Sequence, residues 1–300
     1  MALPDKIVPY LQIHTAVMLF GFTAILGELI QLPAIVLVWW RVLFTVFSLL
    51  FFIQFGRHLK SLPKLLIRKY LGIGAIIGLH WICFYGSLKL SNVSVCLVCL
   101  STTTFFTSLL EPWFTGRKVD AIQVFTGSMI IPGMILIVNN IDAGYYTGVI
   151  VGLLSALCAA IFSVLNKIYI KQTDPYTISF IELSGSLMLV SFALLSIPLF
   201  EIRINAWFPA SWTEWCWLII LAFLCTTWAQ VLTLKALRRL PAFTINLTIN
   251  LEPIYGIILA AFLFSEHKAL NLLFYAGATI IILSVFFYPV ISKYIKQKTL

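Results

Sequence analysis

The stretch "TINLEPIYG", Thr248 to Gly256, sets a carboxyl side chain and then a proline into the middle of an apolar run. Pro253 has no backbone N–H, so the carbonyl four residues earlier, at Ile249, loses its helical partner. A freed polar backbone group and the Glu252 carboxyl therefore occur at one point, with the Asn250 amide beside them. That is the chemistry of a ligand-binding or proton-exchanging site at a broken helix. The alternative is a structural kink whose Glu252 is neutral and bonded to a neighbouring helix.

Other groups with chemistry stand in equally apolar surroundings. Thr102, Thr103 and Thr104 form a hydroxyl cluster, and His80 with Trp81 in one run is matched by Trp228 and Gln230 in another. An aromatic wall carrying a few polar groups is how small-molecule pockets are lined. The expected substrate-binding set is therefore Glu252, Asn250, Thr102, Thr103, Thr104, His80, Trp81, Trp228 and Gln230. Packing is the competing role for both tryptophans and for His80. Arg41 and Glu182 are intramembrane charges of structural type, either a latch that pairs across the molecule or two groups that each snorkel or bond to a carbonyl alone. His14 has no polar mate at the equivalent place.

Several chemistries lack their residues. HExxH, GxSxG, GxxxxGK[ST] and paired-aspartate metal motifs are all missing from the sequence, so no enzyme activity and no cofactor are expected. Cys96 and Cys99 have neither His nor further Cys at zinc-ligand spacing, and the six cysteines read as small hydrophobes rather than metal ligands.

Of the 300 residues 61% are hydrophobic and 10% charged, against roughly 45–50% and 25% in soluble domains. Such a chain is an all-α membrane protein, because only self-satisfied helices of about 20 residues suit a bilayer. Breaks at Gly, Pro and charge clusters divide it into ten transmembrane spans: 10 to 30, 34 to 55, 70 to 88, 92 to 114, 121 to 139, 147 to 168, 176 to 200, 214 to 235, 242 to 264 and 270 to 288. The first is longer than a signal-peptide core of roughly 7–15 residues and counts as a span. The ionisable residues well inside these spans are Arg41, Glu182, Glu252, His14 and His80.

Sixteen of the 20 basic residues fall in one set of alternate loops and termini, and only Lys89, Arg203 and Lys268 in the other. Basic loops stay cytoplasmic, so both termini are expected on that side. The net charge of +9 then reflects topology and contact with lipid headgroups, with no nucleic-acid partner. Small-xxx-small spacings at Gly74 to Gly78 and Gly152 to Ala156 to Ala160 serve internal packing or a homodimer.

The halves align weakly but colinearly. "SLKLSNVS" (87 to 94) lies against "ALRRLPAF" (236 to 243), and "FTGSMII" (125 to 131) against "YAGATII" (275 to 281). With five spans in each, residues 1–144 and 145–300 form two inverted repeats, an arrangement that places a substrate site near the midplane. Arg41 in "VWWRVLF", the starts "SLKLSN" and "ALRRLP", the run "LEPIYGIILAAFLFSEHK" (251 to 268) and the closing "AGATIIILSVFF" resemble the twin signatures of the drug/metabolite transporter superfamily, EamA type. Thr104 stands where that family usually has Pro, and Gly116 where a Glu often stands. The resemblance implies a ten-helix inner-membrane exporter or facilitator of small metabolites. With Arg41 as the one cation at cavity depth, a neutral or zwitterionic cargo such as an amino acid is expected, carried by alternating access. A receptor, scaffold or intramembrane enzyme is the alternative.

Overall fold

The computed structural model describes residues 7–53, 62–197, 204–264 and 271–281, together with 283 and 287. Among these residues the secondary structure is helical throughout, with no strand. The helices are α1 (Val8–Leu29), α2 (Ala34–Leu50), α3 (Lys64–Leu90), α4 (Val93–Thr115), α5 (Ala121–Ile137), α6 (Ala143–Tyr169), α7 (Pro175–Ser196), α8 (Trp212–Leu237), α9 (Ala242–Ala260) and α10 (Leu272–Ile281). Seven are long and apolar enough to cross a membrane, and α2, α5 and α10 are shorter apolar helices. The chain is a multi-pass membrane protein. Lys6, Arg57, Lys60, Arg203, Glu266, Lys268, Lys293, Lys296 and Lys298, and part of the last expected span, lie outside the described residues.

The polar residues between spans work as helix caps. Asp120, Asp142 and Asp174 each accept a bond from backbone N–H groups in the following turn, as do Asn92 and Ser211. Each satisfies donors that the first turn of a helix leaves unpaired. By contrast α2, α3 and α9 begin after Pro33, Pro63 and Pro241 without a side-chain cap of their own.

Four helices are interrupted where side-chain chemistry competes with the backbone ladder; in α5 the break falls at Met129, after Ser128, whose hydroxyl donates to the Phe125 carbonyl at 2.8 Å. In α9 the break falls at Asn250 and Leu251, immediately before Glu252 and Pro253. In α4 it falls at Thr102, whose hydroxyl donates to the Cys99 carbonyl at 2.7 Å while that of Thr103 donates to Leu100 at 2.7 Å. Hydroxyls bonding back in this way bend helices. In α8, residues Phe223–Trp228 make a π-helical turn. There the hydroxyls of Thr226 and Thr227 reach carbonyls five residues back, at Leu221 (2.7 Å) and Ala222 (3.0 Å).

Helices at equivalent places in the two halves run antiparallel. Along α4 and α9, Leu97 meets Gly256, Thr107 meets Asn246 and Glu111 meets Phe243, so one number rises as the other falls. Trp39 with Ser191 and Phe52 with Tyr176 show the same for α2 and α7. In α5 and α10 the contact is reciprocal: a Cβ on Gly133 would lie 2.7 Å from the Gly277 carbonyl, and one on Gly277 2.6 Å from that of Gly133. Mutual contacts of this kind mark a pseudo-twofold axis. Elsewhere α3 packs on α6 and α7 while its counterpart α8 packs on α1 and α2.

The closest approach is between α3 and α7. A Cβ on Gly74 would overlap the Glu182 carbonyl, one on Gly185 would overlap the Leu71 carbonyl, and Ser186 Oγ donates to the Gly74 carbonyl at 2.5 Å. Gly78 faces Ser186 at 3.2 Å, and Gly152 faces Cys99 and Ser87 at 2.8 Å. Both small-residue stripes thus close on helices of the same chain. A Cβ on Gly72, two residues away and so on the other side of the helix, meets nothing within 4 Å. Gly74→Ala is expected to destabilise the protein by about 1–3 kcal/mol, the usual effect of overpacking. Gly72→Ala should be neutral or slightly stabilising, as Ala is the better helix former. Thermal unfolding of the two variants in one detergent checks the contrast.

Candidate functional site

Residues next to the breaks in α4 and α9, Thr103, Ile249 and Glu252, line a cavity of about 90 Å³. Both halves contribute to it: Phe20 and Thr23 from α1, Arg41 from α2, His80, Trp81 and Phe84 from α3, Thr103 from α4, Phe162 and Ser163 from α6, Gln230 and Thr233 from α8, and Asn246 and Glu252 from α9.

Arg41 is the most constrained of these groups. Its Nε–H donates to Thr226 Oγ1 at 2.7 Å and its Nη1 to the Tyr85 hydroxyl at 2.8 Å. The guanidinium carbon sits 4.2 Å from the centroid of the Trp81 ring, in the position of a cation–π contact. Two further polar residues share this face of α2. Thr45 donates to the carbonyls of Arg41 and Ala222, and Ser48 pairs with the Thr227 hydroxyl at 2.6 Å. The spacing of four and three residues puts Arg41, Thr45 and Ser48 on one stripe, and the π-turn brings Thr226 and Thr227 to meet it. A regular α-helix would turn these threonines away, since the wider π-turn changes the register of the helix around it.

Glu252, 4% exposed, also lines the cavity. Among the described residues neither of its carboxyl oxygens has a hydrogen-bond partner, and neither is among the sealed-off polar atoms, so they open on the cavity. It forms no ion pair with Arg41, although both line the same space. His80 Nδ1 lies 2.9 Å from both the carbonyl and the hydroxyl of Ser155, a partner for either tautomer. The cavity therefore holds one fixed cation, one unpartnered carboxyl, an imidazole and an aromatic wall. It can bind a small molecule bearing opposite charges or a set of hydrogen-bonding groups.

Of the substrate-binding residues expected from sequence, Glu252, Thr103, His80, Trp81 and Gln230 line this cavity, and Asn250, Thr102, Thr104 and Trp228 do not. Consecutive helical residues are about 100° apart, so of three adjacent threonines only Thr103 faces inward. Thr102 is bonded to its own helix, and the Thr104 hydroxyl and Asn250 Nδ2 are sealed without partners. Trp228 stands about 200° round the helix from Gln230 and is 52% exposed, against Phe52 and Tyr176 on another surface. The aromatic wall is formed instead by Trp81 with Phe20, Phe84 and Phe162.

Arg41 and Glu182 do not pair. Glu182 Oε2 accepts long bonds from Asn166 Nδ2 (3.4 Å) and Gln230 Nε2 (3.5 Å), behind the cavity wall. The latch is thereby corrected: Arg41 finds neutral partners on α3 and α8. Sequence reasoning also passes over Glu111, which stands near the end of α4 and is 7% exposed. Its Oε2 accepts the Phe243 N–H at 3.0 Å, supplying from the other half the cap that α9 lacks after Pro241. Asn246, which donates to Thr107 at 2.8 Å and accepts from Ser163 at 3.2 Å, is likewise missed. Its signal is its place six residues before Glu252, with Ile249 between them at the same spacing of three.

The EamA-like transporter family model matches residues 8–139 and again residues 146–288. A solved structure, described only as the crystal structure of a protein, superposes with a TM-score of 0.70 over 96% of this chain and 98% of that one, at 14% identity, and so shares the fold. No curated protein matches the chain. Two family units in tandem, spanning nearly all of the sequence and meeting around one cavity, place the protein in the EamA-like transporter family.

Proposed function

We propose that the protein is a secondary transporter of a small neutral or zwitterionic metabolite, with an amino acid as the model cargo. In this reading ten spans form two inverted five-helix repeats, residues 1–144 and 145–300, with both termini on the cytoplasmic side of the inner membrane. The halves rock about the central cavity to expose it to either face in turn. The observation that carries the reading is the pair Arg41 and Glu252, which line one cavity without bonding to each other. A cation and a carboxyl left apart in one cavity are completed by a ligand that brings both opposite charges. The carboxylate of the cargo lies at Arg41, its ammonium at Glu252, and its side chain against Trp81 and Phe162. The volume of about 90 Å³ is well below the roughly 300–1,000 Å³ of drug-sized pockets, which favours a compact cargo.

A thermal-shift screen over amino acids and related metabolites identifies the cargo, because a ligand that binds the folded state stabilises it by mass action. Reconstituted into liposomes, wild-type protein is expected to exchange labelled cargo across the membrane. Glu252→Gln should weaken binding of a zwitterionic amino acid by roughly 10- to 100-fold, the worth of a hydrogen bond to a charged group. The same change should spare an uncharged amide analogue more than it spares the amino acid. Equal loss for both would remove Glu252 from the role of ammonium partner.

Arg41→Lys keeps the charge but loses the planar fork that Thr226, Tyr85 and Trp81 hold. It is expected to lower affinity for the carboxylate-bearing cargo by about tenfold or more while the protein remains folded. Equilibrium binding measured beside thermal unfolding separates this from a purely structural role, in which stability would fall and the affinity of the folded fraction would not.

A further inference from the structure

Glu182 occupies a chamber that the cavity does not include. It is fully buried on α7, and its Oε1 is sealed from solvent without a hydrogen-bond partner. Asn166 Oδ1 on α6 and Ser179 Oγ, one turn below on α7, are likewise sealed and without partners. The donors that reach the carboxyl are two side-chain amides at 3.4 and 3.5 Å. Among the described residues no cation lies within ion-pair distance of it.

The surroundings are complete enough to name. Tyr70 from α3 is the titratable group within electrostatic reach, and its hydroxyl already donates to the Tyr169 carbonyl at 2.9 Å. The rest of the α3 face is the glycine notch at Gly74, pressed on the Glu182 backbone. From α6 comes Asn166 and from α8 comes Gln230. The carboxyl is therefore left with long bonds from two amides on one oxygen and none on the other. A proton on the carboxyl removes a buried charge that has no cation to balance it. Without the proton, the carboxylate depends on the amide donors of Asn166 and Gln230 alone.

Gln230 belongs to both places, since it lines the cavity and its Nε2 reaches Glu182 Oε2. We propose that Glu182 is a proton-carrying site behind the cavity wall, and that Gln230 passes its charge state to the cavity. With Glu182 ionised, the Gln230 amide is drawn to the carboxylate. With Glu182 protonated, the amide is released and its N–H groups turn to the cavity, where they bind cargo. The proton exchanges with solvent, and its site is distinct from the cargo contact at Glu252. The coupling to cargo rests on the transport reading above, whereas proton binding by Glu182 does not.

The test uses the full-length protein in lipid nanodiscs, with difference infrared spectra recorded across a pH titration. A carboxylic-acid C=O band that titrates is expected in wild type and in Glu252→Gln, and is expected to be lost in Glu182→Gln. Gln230→Leu should move the midpoint of that band by about one pH unit, the scale of one hydrogen bond to a charged group. Thr233→Val, a neighbouring cavity variant, should leave it in place. A spectrum unaffected by Glu182→Gln, or a Glu182 band indifferent to Gln230→Leu, overturns the proposal. In a second arm, a mixture of the twenty amino acids serves as the thermal-shift probe at each pH. If no amino acid binds to wild type while the infrared arm behaves as expected, the transport reading of the cargo fails and the proton site stands. If binding occurs but its pH dependence is the same in Glu182→Gln, the coupling is overturned.

Discussion

In hydrocarbon a polar group must find its partner inside the chain, and the whole arrangement reflects how this protein meets that demand. Hydroxyls along the spans bond back to their own helix, as those of Thr107, Ser184 and Thr233 do. Charged groups have no such recourse. Arg41 is accommodated because a π-turn in α8 presents Thr226 and because Trp81 and Tyr85 cover its face. Those contacts use Nε and Nη1 and leave the rest of the guanidinium toward the cavity. The cation is thus held rigidly by neutral partners, with no carboxylate at ion-pair distance among the described residues.

The inverted arrangement explains why the breaks gather at one depth. Because α4 and α9 run antiparallel, the middle of one lies against the middle of the other, and an interruption at Thr102 is brought beside the interruption at Asn250 and Leu251. Yet the two breaks differ in cause, hydroxyl back-bonding in α4 and a proline in α9, so the cavity is lopsided. Its carboxyl comes from the second half and its cation from the first. The asymmetry extends to the helix ends: α4 starts with Asn92 as its own cap, whereas α9 borrows Glu111 from α4. A cap drawn from the opposite half also ties the halves together at that end.

Helix identity, order and the repeat are legible in sequence because they rest on composition and punctuation. Span positions come from apolar runs bounded by Asp120, Asp142 and Asp174, the residues that cap the helices in the structure. The position of Glu252 at a break comes from the chemistry of Pro253 alone. Facing is legible only in part. Trp228 and Gln230 are near in sequence, but two residues along a helix point to nearly opposite sides. The same geometry divides Thr103 from Thr102 and Thr104. Where a spacing of three or four exists, at Arg41, Thr45 and Ser48, it marks a shared face but does not say what lies opposite. That needs the π-turn, whose register shift has no signature in composition.

Glu182 and Glu252 show how two buried carboxyls can be asked to do different things. Both are withdrawn from solvent, and neither has a basic residue against it among the described residues. They differ in what adjoins them. Glu252 opens on a cavity, so a cargo or water completes its hydrogen bonding from outside the chain. Glu182 is closed in by the notch at Gly74 and by Asn166 and Gln230, and its Oε1 has no partner among the described residues. Binding at the first site changes what the cavity contains, while a change at the second alters the wall through Gln230. Gln230 is shared between the two places, since it lines the cavity and its Nε2 reaches Glu182 Oε2.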